Sequence, residues 1–307
     1  MNELVKTRRV KGFIGWGITG NYLKTLPSCS NNYNVVFEQG HYFFKHQLNN
    51  GMQSNALTLV LILVGMVIGH AEAQTDVRIQ PDRGGKSETP WVTPSRTLQV
   101  EMGLQRKKEQ EDHTEIQHPE LVLKYGIFNR IELRARLASA TEKYKQPHYH
   151  ETGLQPVQVG VKALLSEGTG VFPHSSLIVQ LGFPKAASKD FQADKIFPVV
   201  RLNMENRIAD LFEIEYNVAA EWDGSSDKPS WLYVIGPHIA LSQNWQLFAE
   251  TFGSLHENKK PEISVDAGML YWVSKNIVLD LTTGFGLSRV SPRNFIDGGV
   301  CFRFNKL

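Results

Sequence analysis

The chain has 307 residues, 41% hydrophobic, 10% aromatic and 21% charged, with a mean hydropathy of −0.27, enough apolar side chain to fold but too little for a polytopic helical membrane protein. Of 33 Lys/Arg and 31 Asp/Glu, residues 1–73 hold six and three; the remaining 27 and 28 leave no basic excess to track the phosphates of a nucleic acid. Two cysteines, Cys29 and Cys301, allow at most one disulfide and match no zinc spacing, which removes disulfide scaffolds and zinc modules.

The long apolar run, Ala56–Ile68, has 13 residues. A spanning helix needs about 20. The A-x-A site Ala71-Glu72-Ala73 follows it, so residues 52–73 are expected to be a secretory signal peptide cleaved between Ala73 and Gln74. Met52–Asn55 carry no Lys or Arg, a departure from the usual positive start of such a segment. Residues 1–51 show neither a helical nor a strand period and are expected to be a mis-assigned upstream leader, the alternative being a cytoplasmic N-terminal module. Residues 74–95 contain Pro81, Gly84, Gly85, Pro90 and Pro94, which exclude regular structure. They are expected either to hang in the periplasm as a linker or to plug the lumen of the strands that follow, with Asp82, Arg83 and Glu88 as the pairing side chains.

From Arg96 the dominant period is 2. Leu98, Val100, Met102 and Leu104 alternate with Gln99, Glu101, Gly103 and Gln105; Ile131, Leu133, Ala135 and Leu137 alternate with Glu132, Arg134 and Arg136. The pattern recurs through Val157–Lys162, Phe212–Trp222 and Ile277–Gly286, and ends with Val300, Phe302 and Phe304 opposite Gly299, Cys301 and Arg303. About 12 strands are expected, near 96–105, 119–127, 130–139, 155–165, 175–184, 196–205, 208–222, 230–242, 244–256, 262–273, 276–288 and 294–305. Their connections alternate short (Phe128-Asn129, Asn206-Arg207, Ser274–Asn276) and long and polar (Arg106–His118, Ala140–Leu154, Pro184–Lys195). Hydrocarbon offers backbone N–H and C=O groups no partner, so a spanning sheet must close on itself. Residues 96–307 are therefore expected to form an all-β, closed antiparallel transmembrane β-barrel in the outer membrane, with Trp222, Trp231, Trp245, Trp272 and Phe128 in its interface girdles. A soluble sandwich or lipocalin-like barrel shares the period but places apolar residues inside.

Several stretches resemble a known family. Ile79-Gln80-Pro81-Asp82-Arg83, Ser87-Glu88-Thr89-Pro90, Val92-Thr93-Pro94-Ser95-Arg96 and Leu98-Gln99-Val100-Glu101 resemble the opening pattern of the MetA-pathway of phenol degradation family. Tyr125–Arg134 is similar to its "YGLTDRFELR" hairpin, Val159-Gly160-Val161-Lys162 to its "GVKY" strand, and Asp266–Met269 with Gly298–Phe304 to its closing strands. The resemblance covers residues 79–304 and implies an outer-membrane channel or transporter. Asn305-Lys306-Leu307 after Phe304 depart from the terminal aromatic residue common in outer-membrane barrels.

With Ile131, Ile214 and Ile277 facing lipid, the lumen would be lined by Glu132, Arg134, Arg136, Lys162, Arg201, Glu205, Glu213, Glu215, Asp280 and Arg303, of both signs and thus without a simple ion preference. These charges either line a pore or form a ladder that fills a narrow barrel. Catalytic signals are weak. Gly85-Lys86-Ser87 has Gln80 where a P-loop needs its first glycine. His148, His150 and Glu151 sit in a polar loop where solvation is commoner than metal binding. His174, beside Ser175 and Ser176, and His238 have no neighbour in sequence that would pin a hydrolase triad. Cys301 reads as a small lumen-facing filler. The expected function is an outer-membrane channel or transporter for small solutes, hydrophobic or aromatic compounds among them, by passive diffusion, with no enzyme activity and no cofactor. Outer-membrane lipids, solutes and the barrel assembly machinery are the expected partners; oligomeric state is open. The alternatives are a closed-lumen structural or surface-interaction barrel and, less favoured, a membrane-embedded lipid hydrolase.

Overall fold

The computed structural model describes residues 78–109, 111–145, 148–257 and 259–305; the expected leader and signal peptide lie outside them. Thirteen strands follow one another among the described residues: β1 (Thr97–Lys108), β2 (His113–Phe128), β3 (Ile131–Tyr144), β4 (Tyr149–Leu154), β5 (Val157–Thr169), β6 (Phe172–Phe183), β7 (Phe197–Ala209), β8 (Phe212–Glu221), β9 (Ser230–Ala240), β10 (Trp245–Leu255), β11 (Glu262–Ser274), β12 (Ile277–Gly286) and β13 (Asn294–Asn305). Each pairs antiparallel with its chain neighbours, except that β4 and β5 both pair with β3, and β1 pairs with β13 from Thr97↔Asn305 to Lys108↔Asn294, which closes the ring. β4 and β5 share one stave: Ser139–Tyr144 of β3 pair with β4, and Ile131–Arg136 with β5. Pro156, which has no N–H to give the ladder, lies at the break. The result is a closed barrel of 12 staves, the expected class.

Burial is inverted relative to a soluble barrel. Leu104, Leu133, Val159, Val218, Ile235, Leu281 and Ile296 are exposed on the outer face, while Glu101, Glu132 and Lys162 are fully buried inside. Such a surface is stable only where hydrocarbon takes the place of water, which rules out the sandwich and lipocalin alternatives.

Two expectations are corrected. The long connections expected at Arg106–His118 and Ala140–Leu154 are mostly strand, since β2 begins at His113, β3 runs to Tyr144 and β4 fills 149–154. The ladder continues past the point where side chains stop alternating, because backbone pairing needs no apolar face. Trp231, Trp245 and Phe128 are exposed as a girdle requires, but Trp222 lines the lumen and Trp272 is only 2% exposed. It shares the inward parity of Asp266 and Leu270 and packs with Ile79, Val278 and Cys301 inside the barrel.

Candidate functional site

The interior is occupied by the chain's own residues 78–96. Both ends of this segment are tied at the end of the short turns: the Ile79 N–H donates to Lys275 O (2.8 Å), the Trp272 indole donates to Ile79 O (2.9 Å), and the Arg96 N–H donates to Gly126 O (2.8 Å). Between these ties the segment rises into the lumen and returns. It reverses at Gly84 and Gly85, whose φ of +92° and +121° favour glycine.

Three charged nodes hold it. The Asp82 carboxylate accepts from Arg134 (2.8 Å), Lys124 (3.0 Å) and Lys162 (3.0 Å), all almost fully buried, while its backbone N–H donates to Glu101. Glu88 pairs with Arg134 (2.8 Å) and Arg201 (3.6 Å), and its N–H donates to Asn217 Oδ1 (2.7 Å). Arg83 meets Glu120 on β2 and Asp280 on β12, both at 3.4 Å, and Asp297 on β13. At the tip the N–H groups of Lys86 (2.6 Å) and Ser87 (3.2 Å) donate to Glu250, and the Ser87 hydroxyl bonds Glu250 and Glu215. Glycine-rich backbone that in a P-loop would cradle phosphate here cradles a carboxylate of the wall. On the return leg the Trp91 indole donates to Glu205 (3.1 Å) and lies edge-on to His174, and the Thr93 N–H donates to Glu132 (2.7 Å).

The segment is therefore complementary in charge to the wall. It brings carboxylates to the half rich in Lys and Arg, and a guanidinium with two N–H donors to the half rich in Asp and Glu. Buried ions survive only when so paired.

Of the lumen residues expected from sequence, Arg134, Lys162, Arg201, Glu132, Glu205, Glu215 and Asp280 bond the segment directly. Arg136 instead reaches Glu120 (2.6 Å), Glu213 pairs with Arg207 (2.9 Å), and Arg303 bonds Asn276 Oδ1 (2.9 Å) in the last short turn. Sequence reading missed Glu101, Lys124, Glu250 and Asp266. Their inward parity was visible, but each lies in a run whose apolar residues dominate. His238, expected to have no pinning neighbour, lies between Glu215 (3.6 Å) and Glu250 (3.5 Å). The nearby Ser87 hydroxyl bonds those carboxylates, so His238 braces the tip through them. His148 and His150 are exposed at the end of the long loops, and no cluster of three potential metal ligands occurs among the described residues.

Arg83 fits because Gly103 and Gly299, register partners on β1 and β13, have no side chains; a Cβ on Gly103 would overlap the guanidinium. Gly103→Val is expected to expel Arg83 and speed trypsin cleavage within 78–96, while the heat-modifiable gel mobility of the closed barrel persists. Unchanged protection would argue against this niche.

Two cavities flank the segment. The larger, about 510 Å³, lies toward the long loops, with Asp82–Lys86 among its lining residues, Arg136, Arg201 and Asp266 on its walls, and Trp222, Asp223 and Pro292 above. The smaller, about 320 Å³, lies toward the short turns and is lined by Arg78, Trp91, Arg207, Glu213 and His238 among others. Arg83 and Gly84 border both.

A closed antiparallel barrel, apolar outside and charged within, is the architecture of an outer-membrane β-barrel channel. The chain belongs to the family described as "Putative MetA-pathway of phenol degradation", whose model matches residues 81–304; the resemblance seen in sequence is borne out. Among solved structures, the COG4313 outer membrane channel from Pseudomonas putida F1 is similar at a TM-score of 0.60 and 9% identity, over 74% of this chain and 100% of that one. The KdgM porin (TM-score 0.45, 10% identity, 68% and 99% of the two chains) and the CymD monoaromatic hydrocarbon channel (0.41, 10%, 69% and 90%) are more distant. No curated protein sequence matches this chain.

Proposed function

We propose that this protein is an outer-membrane channel through which small solutes cross by passive diffusion, narrowed by its own residues 78–96. The observation that carries the reading is the pair of cavities, about 510 and 320 Å³, stacked inside the barrel on either side of that segment. By the general rule for such barrels the short turns face the periplasm and the long loops the exterior, so a solute meets the larger chamber first. Phe252, Phe295 and Trp222 in its lining, together with the family description, support aromatic compounds among the solutes. A non-catalytic role is supported by the ion pairs that occupy most of the interior charges and by the Ser87 hydroxyl, which is held by two carboxylates. Lipids surround the barrel and the assembly machinery inserts it; no step calls for a cofactor.

The test is planar-bilayer conductance of the refolded chain beginning at Gln74, with heat-modifiable mobility as proof of closure. Discrete current steps are expected. A closed but electrically silent barrel would instead favour the second reading, a structural or surface-interaction barrel, for which the hydrogen-bonded segment 78–96 is the supporting observation.

A further inference from the structure

The larger chamber has two unlike walls. Strands β8, β9, β10, β11 and β12 contain seven Asp or Glu and not one Lys or Arg. The lumen-facing cations of the chamber stand on β1, β3 and β7, as Lys107, Arg134, Arg136 and Arg201. Each of these cations is already paired: Lys107 with Glu115 and Arg136 with Glu120 on β2, Arg134 with Asp82 on the segment, and Arg201 with Glu221 on β8.

Four chamber charges make no ion pair among the described residues; one, Asp223, sits in the loop after β8 and accepts from the Ser225 and Ser226 N–H groups. Asp266 and Glu262 lie on the acidic wall, and Lys86 lies on the segment between the walls. Asp266 is only 6% exposed, and its Oδ1 has no hydrogen-bond partner. A buried carboxylate in that condition is costly unless a cationic group meets it. Lys86 is exposed, and its backbone bridges the walls, with the N–H on Glu250, the register partner of Asp266, and the carbonyl accepting from Arg201 (3.3 Å). Beside Asp266 the Phe295 ring packs over Gly284, with Phe252 6.1 Å away between ring centroids.

We propose that this chamber is a binding site for a small amphoteric aromatic solute. Its ammonium would sit on Asp266 and Glu262, its carboxylate on Lys86 with Arg136 behind, and its ring against Phe252 and Phe295. An aromatic face beside a carboxylate suits an organic ammonium, to which both are attractive. The inference rests on the reading that solutes enter the chamber.

The test is calorimetric titration of the detergent-solubilised barrel with L-phenylalanine, phenethylamine and 3-phenylpropionate, which share the ring and carry both charges, the ammonium alone or the carboxylate alone. L-phenylalanine is expected to bind about tenfold more tightly than either, the worth of one charged contact. Asp266→Asn, checked for closure by heat-modifiable mobility, is expected to weaken phenylalanine and phenethylamine about tenfold and leave phenylpropionate unchanged. Lys86→Met, which keeps the backbone bonds of the tip, is expected to weaken phenylalanine and phenylpropionate and leave phenethylamine unchanged. Equal binding of the three probes, no binding of phenylalanine, or indifference to both substitutions would overturn the proposal. Binding is read without current, so a silent barrel with this pattern removes the channel reading and keeps the site. A conducting barrel without it removes only the site.

Discussion

Deleting residues 78–94 from the chain that begins at Gln74 is expected to raise single-channel conductance several-fold. The segment separates two cavities that together run from the long loops toward the short turns, and Arg83 and Gly84 border both. Its removal joins them into one water-filled lumen. The same deletion takes away two carboxylates, Asp82 and Glu88, from beside Lys124, Arg134, Lys162 and Arg201. It also takes Arg83 from beside Glu120, Asp280 and Asp297. Both walls then hold uncompensated charge of opposite sign, so the wider pore is expected to depend steeply on salt, because screening acts on charges newly exposed to water. Bilayer recordings at low and high ionic strength check both parts. An unchanged conductance would mean that the segment does not limit the path.

Asp82→Asn is expected to release the segment without opening the barrel wall. The substitution keeps the shape of the side chain and removes a charge that three buried cations share at 2.8–3.0 Å. Breaking a buried pair by removing one partner costs about 3–5 kcal/mol. Glu101, Glu132 and Glu88 still touch Lys124 or Arg134, which places the cost at the lower end of that range. A loss of that size corresponds to a rise on the order of a hundredfold in the population of the detached segment. Trypsin cleavage after Arg83 or Lys86 is expected to accelerate accordingly, while the β1–β13 seam keeps the barrel heat-modifiable. Protection equal to that of the unaltered chain would show that the remaining contacts hold the segment without Asp82.

Strand parity made much of the barrel legible. The alternation in Arg130–Leu137 put Glu132 and Arg134 on one face and Leu133 on the other, and the structure buries the first two and exposes the third. The limits of β2 were less legible, because His113–His118 carries polar residues on both faces above the apolar band and gives no alternation to read. Trp272 was placed in the girdle by residue type, whereas its parity put it inside. Residue type reports where a side chain is comfortable; parity reports where the pleat sends it, and the pleat prevailed because the indole found Ile79 O as a partner. The surroundings of His238 were illegible for a different reason, since Glu250 reaches it from a neighbouring strand and is itself bonded by Ser87, from a segment 151 positions upstream of His238.

By itself the sequence determined that the chain forms about a dozen strands, apolar on one face and charged on the other, with an irregular proline- and glycine-rich segment before them. These properties follow from local periodicity, which each stretch of ten residues carries without help from the rest. Only the tertiary structure decided where that segment lies and which charges meet. Asp82 and Lys162 are 80 positions apart, and Arg83 and Asp297 are 214 apart. Such pairs depend on the register with which β1 closes on β13 and on the desolvation of ions inside a finished barrel, where each charge must find its opposite wherever in the chain it arose.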